Sequence, residues 1–415
     1  MSSSSNPPVS GWRWWVCGVL LLATILNYMD RTALNQTSKE IKSAFKVNDV
    51  WYGVLESGFQ VAFGIGAILF GIIVDRFGVR VVYPIAVVGW SVAGFLTGFA
   101  GNYWALLACR IALGIFEAGN WPCGIRTVRQ VMAPSERSLG NSIFQSGTGL
   151  GAIVTPPVIL FCVSLFKSTD WQLPFRAIGL IGLGWVLLWW FTVPKRVLAH
   201  PVEPKHVPRE PFSAVFADRR FWILVVLILG VNTSWHTFRV WLPLYLRENL
   251  KYTRDESLWF NTQYYIAADI GSWLVGLAVV LMARNGVNLH SARVRTYAVG
   301  VLLALSSLAL PFASWEFIEP IIGVTGFASL GLFATYFALS QEVSGRHQGK
   351  VTGVLGAINS AWLASLYPLQ GGANDASPEV RVWVLAFAGL PAAAALLAVV
   401  WGWPRKVSRD PKGSA

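Results

Sequence analysis

The sequence predicts an all-α membrane protein of twelve spanning helices, arranged as two pseudo-symmetric sets of six. Three observations predict it. Charge is scarce, long apolar runs follow one another through the whole chain, and pairs of short motifs recur at a nearly constant offset. Of 415 residues 54% are hydrophobic and only 13% charged, with mean hydropathy +0.51; a soluble domain carries roughly 25% charged residues. Length alone would suggest two or three soluble domains, a reading the apolar runs displace.

A bilayer-spanning helix needs about 20 mostly apolar residues, and within lipid only helices or closed barrels satisfy the backbone. The runs are continuous rather than alternating, so they are helices. Charges and turn residues bound them near 12–36, 51–74, 79–100, 103–125, 138–165, 174–193, 220–246, 257–283, 294–313, 317–341, 350–370 and 380–402. The first run starts after Arg13 and leads into Asn27-Tyr28-Met29-Asp30-Arg31 without a small-residue cleavage site. It reads as a membrane helix, not a removable signal peptide.

With the N-terminus inside, the inner loops and termini hold 21 Lys and Arg and the outer loops 9; Arg31, Arg110 and Arg239 lie within spans. Lysine and arginine concentrate on the cytoplasmic side, so both termini are expected there, in a cell (inner) membrane. The net charge of +12 does not imply nucleic acid, because the basic residues are scattered through short loops. The Pro-rich, basic connector 194–219 divides an N-terminal half (1–193) from a C-terminal half (220–404), followed by a tail (405–415). Cys17, Cys109, Cys123 and Cys162 fall in apolar segments without paired spacing or neighbouring histidines, which supports neither a disulfide framework nor a zinc site.

The halves echo each other. Gly71-x3-Asp75-Arg76-Phe77-Gly78-x-Arg80 follows the second span, and a degraded counterpart running from Gly276 to Arg284-Asn285-Gly286 ends the eighth, about 205 positions later. Ser135-Glu136-Arg137-Ser138-Leu139-Gly140 is matched by Ser344-Gly345-Arg346-His347-Gln348-Gly349, offset by 209. Similar offsets at equivalent places indicate internal duplication, the plan of transporters that bind cargo where the repeats meet.

Charged groups at membrane depth are costly and usually mark pathways. Asp30 and Arg31 lie in the outer half of the first span. Arg110 and Glu117 are seven apart on the fourth, hence on one face with about 10 Å of rise between them, and Gly114 between them keeps that face open. Arginine offers a permanently charged planar fork that fits a carboxylate. A carboxyl in a poorly solvated site holds a proton more readily than one in water. Together these are the minimal parts of an anion:proton symporter. The competing reading is that the four groups form ion pairs that only hold helices together.

The loop Gly71-x3-Asp75-Arg76-Phe77-Gly78-x-Arg80 resembles the signature of the major facilitator superfamily. Five further segments resemble its anion:cation symporter family, in particular bacterial hexuronate and aldonate transporters: Asn27 to Arg31; Arg110-x6-Glu117-Ala118-Gly119-Asn120-Trp121-Pro122; Glu136-Arg137 with Ile143-Phe144-Gln145-Ser146-Gly147; Trp241-Leu242-Pro243-x-Tyr245-Leu246; and Ala267-Ala268-Asp269-Ile270-Gly271-Ser272. The resemblance implies that Arg31 contacts the substrate carboxylate, that Glu117 is the proton site, that Asp30 is a second protonatable group and that Arg110 modulates the acids. It places Gln145, Thr148 and Asn359 where the family lines its cavity, although such neutral groups also serve as interhelical hydrogen bonds. It assigns the motif at Gly71, Asp75, Arg76, Gly78 and Arg80 to gating, with Asp75 pairing with arginines and a helix N-terminus to stabilise an outward-open state. Tyr28, one turn before Arg31, fits either a contact to sugar hydroxyls or an ordinary interfacial tyrosine.

Some positions depart from that pattern. Phe63 stands where relatives often carry a cavity tyrosine. His236 and Arg239 replace an aromatic, uncharged stretch; Arg239 either meets a second anionic group or snorkels to the outer interface, and the Trp241-Leu242-Pro243 that follows favours the surface. Glu56 reads as a solvated residue near the outer surface, and Asp269 has no assigned role. Gly147-Thr148-Gly149-Leu150-Gly151-Ala152 matches a dinucleotide fingerprint by letters only, lacking the preceding strand; Gly147 and Gly151 more simply let two helices approach.

The expected function is symport of a small organic anion, a sugar acid, coupled to H+ with Na+ as the alternative, by alternating access of two halves in a functional monomer. No cofactor, nucleic-acid partner or enzymatic constellation is indicated. The alternatives are an exporter of amphipathic compounds, which needs an apolar cavity that Arg31 opposes, and a non-transporting sensor of transporter fold, which usually needs a long soluble tail.

Overall fold

Every predicted span is helical in the computed structural model, which describes residues 11–132, 137–166, 170–193, 214–343 and 348–403. The N-terminal six spans are α1 (Gly11–Gln36), α3 (Asp49–Phe77), α4 (Val79–Thr97), the pair α5 (Tyr103–Glu117) and α6 (Asn120–Val131), α7 (Arg137–Phe166) and α8 (Leu173–Thr192), with a short α2 (Ser38–Phe45) after the first. After a four-residue α9 (Ala214–Ala217) come α10 (Arg219–Glu248), α11 (Arg254–Arg284), α12 (Leu289–Ala304, continued as 3-10 helix Leu305–Phe312), α13 (Trp315–Val343), α14 (Gln348–Ala376), and α15 (Pro378–Ala386) continued by α16 (Leu390–Gly402). Among the described residues nine helices are long and apolar enough to cross a membrane. Large apolar side chains such as Ile72, Phe191, Leu187, Trp273, Leu302 and Trp401 stand exposed around the outside, the sheath expected of a chain solvated by lipid tails.

The fourth span differs from the unbroken 103–125 that its composition predicts. It divides at Ala118–Gly119 into α5 and α6, because Pro122 has no N–H to offer the carbonyl of Ala118. Glu117 is therefore the last residue of a helix, at a break in the middle of the bundle.

Duplication is visible in the backbone. The positive-φ residues among those described are Lys46 and Lys251, 205 positions apart, and Gly78 and Gly286, 208 apart. The two glycines end α3 and α11, where the left-handed turn is open to a residue without Cβ. The second motif match lies partly outside the described residues, at 133–136 and 344–347, as do most of the connector and the tail.

The two halves meet at the end of the bundle that carries α2 and the turn between α14 and α15. There α3 and α14 touch backbone to backbone. A Cβ on Gly53 would lie 2.5 Å from the Tyr367 carbonyl oxygen, and one on Gly371 only 2.3 Å from that of Asp49, the close approach that small residues give membrane helices. Asp375 of α14 also caps α3, accepting from the backbone N–H of Asp49 at 2.8 Å and Val50 at 3.0 Å. Towards the opposite, connector end a Cβ on Gly71, Gly353 or Gly356 would meet nothing within 4 Å. Among the described residues, α3 and α14 are packed together at the α2 end, the closed end, and not at Gly71, Gly353 and Gly356.

Four charges ring the closed end. Asp49 forms an ion pair with Lys42 of α2 and accepts a hydrogen bond from Arg381 at 3.0 Å. Glu248 accepts from Arg381 at 2.7 Å and from Lys42 at 3.1 Å. Lys42 and Asp49 belong to the N-terminal half, Glu248 and Arg381 to the other, so two of the four links cross between halves. Arg247 and Glu40 add a third crossing pair.

Candidate functional site

Among the described residues, six carboxylate and guanidinium side chains, each less than a tenth exposed, lie deep inside the bundle: Asp30, Arg31, Glu56, Arg110, Glu117 and Arg239. Arg31 donates through Nε to Glu117 Oε2 at 2.5 Å, and through Nη2 to Asn27 Oδ1, one turn back, at 3.3 Å. Asn27 in turn donates to the Glu117 carbonyl at 3.4 Å, so α1 clasps the break after α5. The Arg31 guanidinium packs against three rings, Phe63 at 4.6 Å, Phe59 at 4.8 Å and Tyr28 at 5.1 Å from their centroids. Phe63 gives no hydroxyl; its ring instead holds the cation by its face. The second oxygen of Glu117, Oε1, is buried without a hydrogen-bond partner.

The Arg110–Glu117 face expected on the fourth span does not form a pair. Arg110 turns to Glu56 of α3, Nη2 to Oε1 at 3.5 Å, and lies over Phe59 at 4.5 Å. Gly114 is not an open surface either, for a Cβ there would sit 2.4 Å from the Phe59 carbonyl oxygen. It is a contact point between α5 and α3. Spacing along one helix says which way two side chains point, not which neighbour stands opposite.

Two surface expectations are overturned in the same place. Glu56 is completely buried and Arg239 only 4% exposed; they pair across the halves, Nη2 to Oε2 at 3.3 Å. Arg239 Nη2 also reaches the Tyr367 hydroxyl at 3.3 Å, and that hydroxyl lies 2.9 Å from His236 Nδ1. Both charges sit about two turns or more from the ends of α3 and α10, too deep to reach water by snorkelling.

Asp30 sits apart from this chain of contacts. It packs against α4, where a Cβ on Gly94 would be 2.8 Å from Oδ1, an oxygen with no hydrogen-bond partner. On α7, Gln145 is exposed and Thr148 half-buried, while Asn359 on α14 is half-buried with its Oδ1 enclosed and unpartnered. Among the described residues none of these three is hydrogen-bonded to the arginine cluster. Gly147 and Gly151 do admit α1, the Cβ positions falling 2.8 Å from Leu21 O and 2.6 Å from Ile25 O. Gly149 between them makes room for Asp269 of α11, whose carboxylate oxygens would lie 2.2 Å from a Cβ.

In the loop motif, Gly71 faces open space and Gly78 takes φ +77°. Arg76 is exposed beside Phe77. Arg80 donates to the Val193 carbonyl and lies over Trp190, contacts within its own half. The side chain of Asp75 lies outside those described.

The sequence profile of the Major Facilitator Superfamily matches residues 20–368. The chain belongs to this superfamily. Its facilitator fold, twelve helices in two halves, is shared with a bacterial homologue of the human lysosomal transporter Spinster in an inward-facing, unoccupied conformation, at TM-score 0.73 over 95% of this chain and 96% of that one with 18% identity. The facilitator is 25% identical to the hexuronate transporter of Escherichia coli (strain K12) over 88% of each chain. It is 23% identical to the galacturonate transporter of Dickeya chrysanthemi, over 78% of this chain and 97% of that one. It is 26% identical to the D-galactonate transporter of Escherichia coli O6:H1 (strain CFT073), over 69% and 71%. It is a multi-pass membrane transporter related to sugar acid transporters, not an enzyme.

Proposed function

We propose that the protein carries a small carboxylate, a sugar acid, together with protons, and that Arg31 and Glu117 are the pair that couples them. One observation carries the reading: the buried Arg31 guanidinium is held by Glu117 at 2.5 Å, and among the described residues no second carboxylate pairs with it. A substrate carboxylate and ionised Glu117 compete for the same fork. A proton on Glu117 removes its claim, so Arg31 turns to the substrate, and loss of that proton expels the substrate again. Asp30, buried without a partner on Oδ1, is the second protonatable group; Arg110 acts on the acids through Glu56. Tyr28, Gln145, Thr148 and Asn359 complete the cavity, and the halves 1–193 and 220–404 rock about it. Relatives named for hexuronate, galacturonate and galactonate support a sugar acid as cargo, and the buried carboxylates support H+ rather than Na+.

Arg31→Lys keeps the charge and loses the fork. Binding of the best sugar acid by the purified protein should weaken by about 1.5–3 kcal/mol, roughly ten- to hundred-fold, in a calorimetric titration. Unchanged affinity would remove Arg31 as the anchor.

The 21-to-9 asymmetry of Lys and Arg supports cytoplasmic termini in an inner membrane, which makes the closed end the outer one. A reporter fused after Trp403, or within 194–219, should then read out cytoplasm; a periplasmic signal from either fusion reverses the orientation.

A further inference from the structure

We propose that Asp269 is a proton-operated latch on the rocking of the two halves: ionised, it keeps α7 and α11 apart at the connector end, and they close over it only after it takes a proton from that side. The proposal rests on the rocking of the halves, not on the cargo or on Glu117. Asp269 is the midpoint of α11, which runs from Arg254 at the closed end to Arg284 at the connector end. It faces the other half, for a Cβ on Gly149 of α7 would collide with both of its carboxylate oxygens. Gly271, two residues on and so on the opposite face of the helix, packs against the Phe327 carbonyl of α13 instead.

Its position marks where this seam between the halves gives out. The buried residues of α11 run from Ser257 to Gly271, and from Ser272 to Arg284 none is buried. A Cβ on Gly276 would meet nothing within 4 Å. On α7, Gly149 is buried, while Gln145, one turn nearer the connector end, is exposed. Asp269 itself is half-buried. The buried Tyr264, Tyr265 and Ala268 lie between it and the closed end, so the side from which water reaches it is the connector end.

No cation answers this carboxylate. Among the described residues its side chain makes no ion pair or hydrogen bond. α7 brings Gly149 and, among its described side chains, no Lys, Arg, His, Asp or Glu. α13 brings Phe327 at this level, its Glu316 and Glu319 lying in the first two turns near the closed end. On α10, His236 and Arg239 are engaged with Tyr367 and Glu56. On α12, His290 stacks on Trp403 and Tyr297 donates to Ala392, while Arg293 and Arg295 lie in the first two turns at the connector end. Tyr265 is one turn away on α11 itself.

A carboxylate so placed is stable as an anion only while water solvates it. If α7 and α11 close at the connector end, it is enclosed without a partner, and an unpaired buried charge is costly enough that such groups neutralise instead. A proton from the connector side bonds to one carboxylate oxygen and permits closure; on reopening it returns to the same side. The fraction closed at this end therefore falls about tenfold with each pH unit above the group's titration point. No proton crosses the membrane on Asp269, so it governs the pH dependence of rocking without adding to proton-driven accumulation.

Spin labels on Arg129 and Asn285, exposed residues near the connector end of α6 and just past α11, read the separation in the full-length protein with its native cysteines replaced. In the parent at about pH 8 the long distance should dominate, with a short component growing at about pH 5.5. Asp269→Asn is uncharged and nearly the same size. At the higher pH it should raise the short component relative to the long one by at least about tenfold, and Asp269→Glu should keep the parent's pH response. Asp269→Ser, small and neutral, should match Asp269→Asn and replaces it if that variant folds poorly. In proteoliposomes under an imposed pH gradient, Asp269→Asn should accumulate sugar acid to the parent's ratio. A parent-like distance distribution in the neutral variants at the higher pH overturns the proposal. So does a reduced accumulation ratio, which would make Asp269 a carrier of protons across the membrane. A single distance in the parent, independent of pH and of ligand, reads differently: it overturns the rocking itself and the proposal with it.

Discussion

Glu117→Gln should abolish uphill transport and leave exchange intact. Glutamine has nearly the size of glutamate and resembles its protonated form, so on the proposed coupling the variant is held in the state that frees Arg31 for substrate. Binding and counterflow between preloaded pools need no net proton movement and should survive. Accumulation should not. Each pH unit of an imposed gradient supplies about 1.36 kcal/mol per proton, so two units can hold roughly a hundred-fold accumulation at one proton per cycle; in the variant the ratio should fall to about one. A purely structural Glu117 makes a different prediction. Removing one partner of a buried ion pair costs about 3–5 kcal/mol, and Arg31 would keep only Asn27 and the rings of Tyr28, Phe59 and Phe63. Folding, binding and exchange would then fall together. Counterflow and proton-driven uptake measured on the same proteoliposomes separate the two, and retained accumulation removes Glu117 from the coupling.

Much of this geometry is legible in the sequence, and what is not has identifiable causes. Spans read well because a hydrocarbon core filters composition harshly over a fixed length. The break at Ala118–Gly119 is concealed because Trp121 and Cys123 continue the apolar run; Gly119 and Pro122 are the local signs of it. In the site, Arg31 and Glu117 are recognisable from intramembrane charge, but their direct contact is not, since it joins residues 86 apart on different helices. Glu56 and Arg239 mislead for a related reason. Depth counted along a single helix puts both near an interface, whereas each is covered by the opposite half, and burial between halves leaves no trace in a hydropathy profile. The offset of 208 between Arg31 and Arg239 was the available signal. It marks symmetry-related positions whatever their local composition. The ring at the closed end is the least legible feature, because its four charges come from four separate segments that each look like an ordinary polar loop.

That ring sets the second large effect. Lys42, Asp49, Glu248 and Arg381 close on one another only when the halves meet at this end, and Asp49 makes one of the two crossing links, to Arg381 at 3.0 Å. Asp49→Asn removes the negative charge that holds Lys42 and Arg381 together, while Glu248 keeps both cations at 3.1 and 2.7 Å. The fold has little reason to fail, because in the proposed alternating-access cycle the ring is lost whenever this end opens. What changes is the equilibrium between closed and open. A hydrogen bond to a charged group is worth about 1.5–3 kcal/mol, so the closed arrangement should lose roughly ten- to hundred-fold in relative population. Spin labels on the exposed residues Ala44 and Glu379, one in each half, with Cys17, Cys109, Cys123 and Cys162 replaced, report the separation directly. In the parent background the distance distribution should be short and narrow; with Asp49→Asn a longer component should become prominent, and Asp49→Glu should largely restore the short one. An unchanged distribution in Asp49→Asn would mean that the ring decorates the closed end without holding it, and that the backbone contacts at Gly53 and Gly371 set the equilibrium instead.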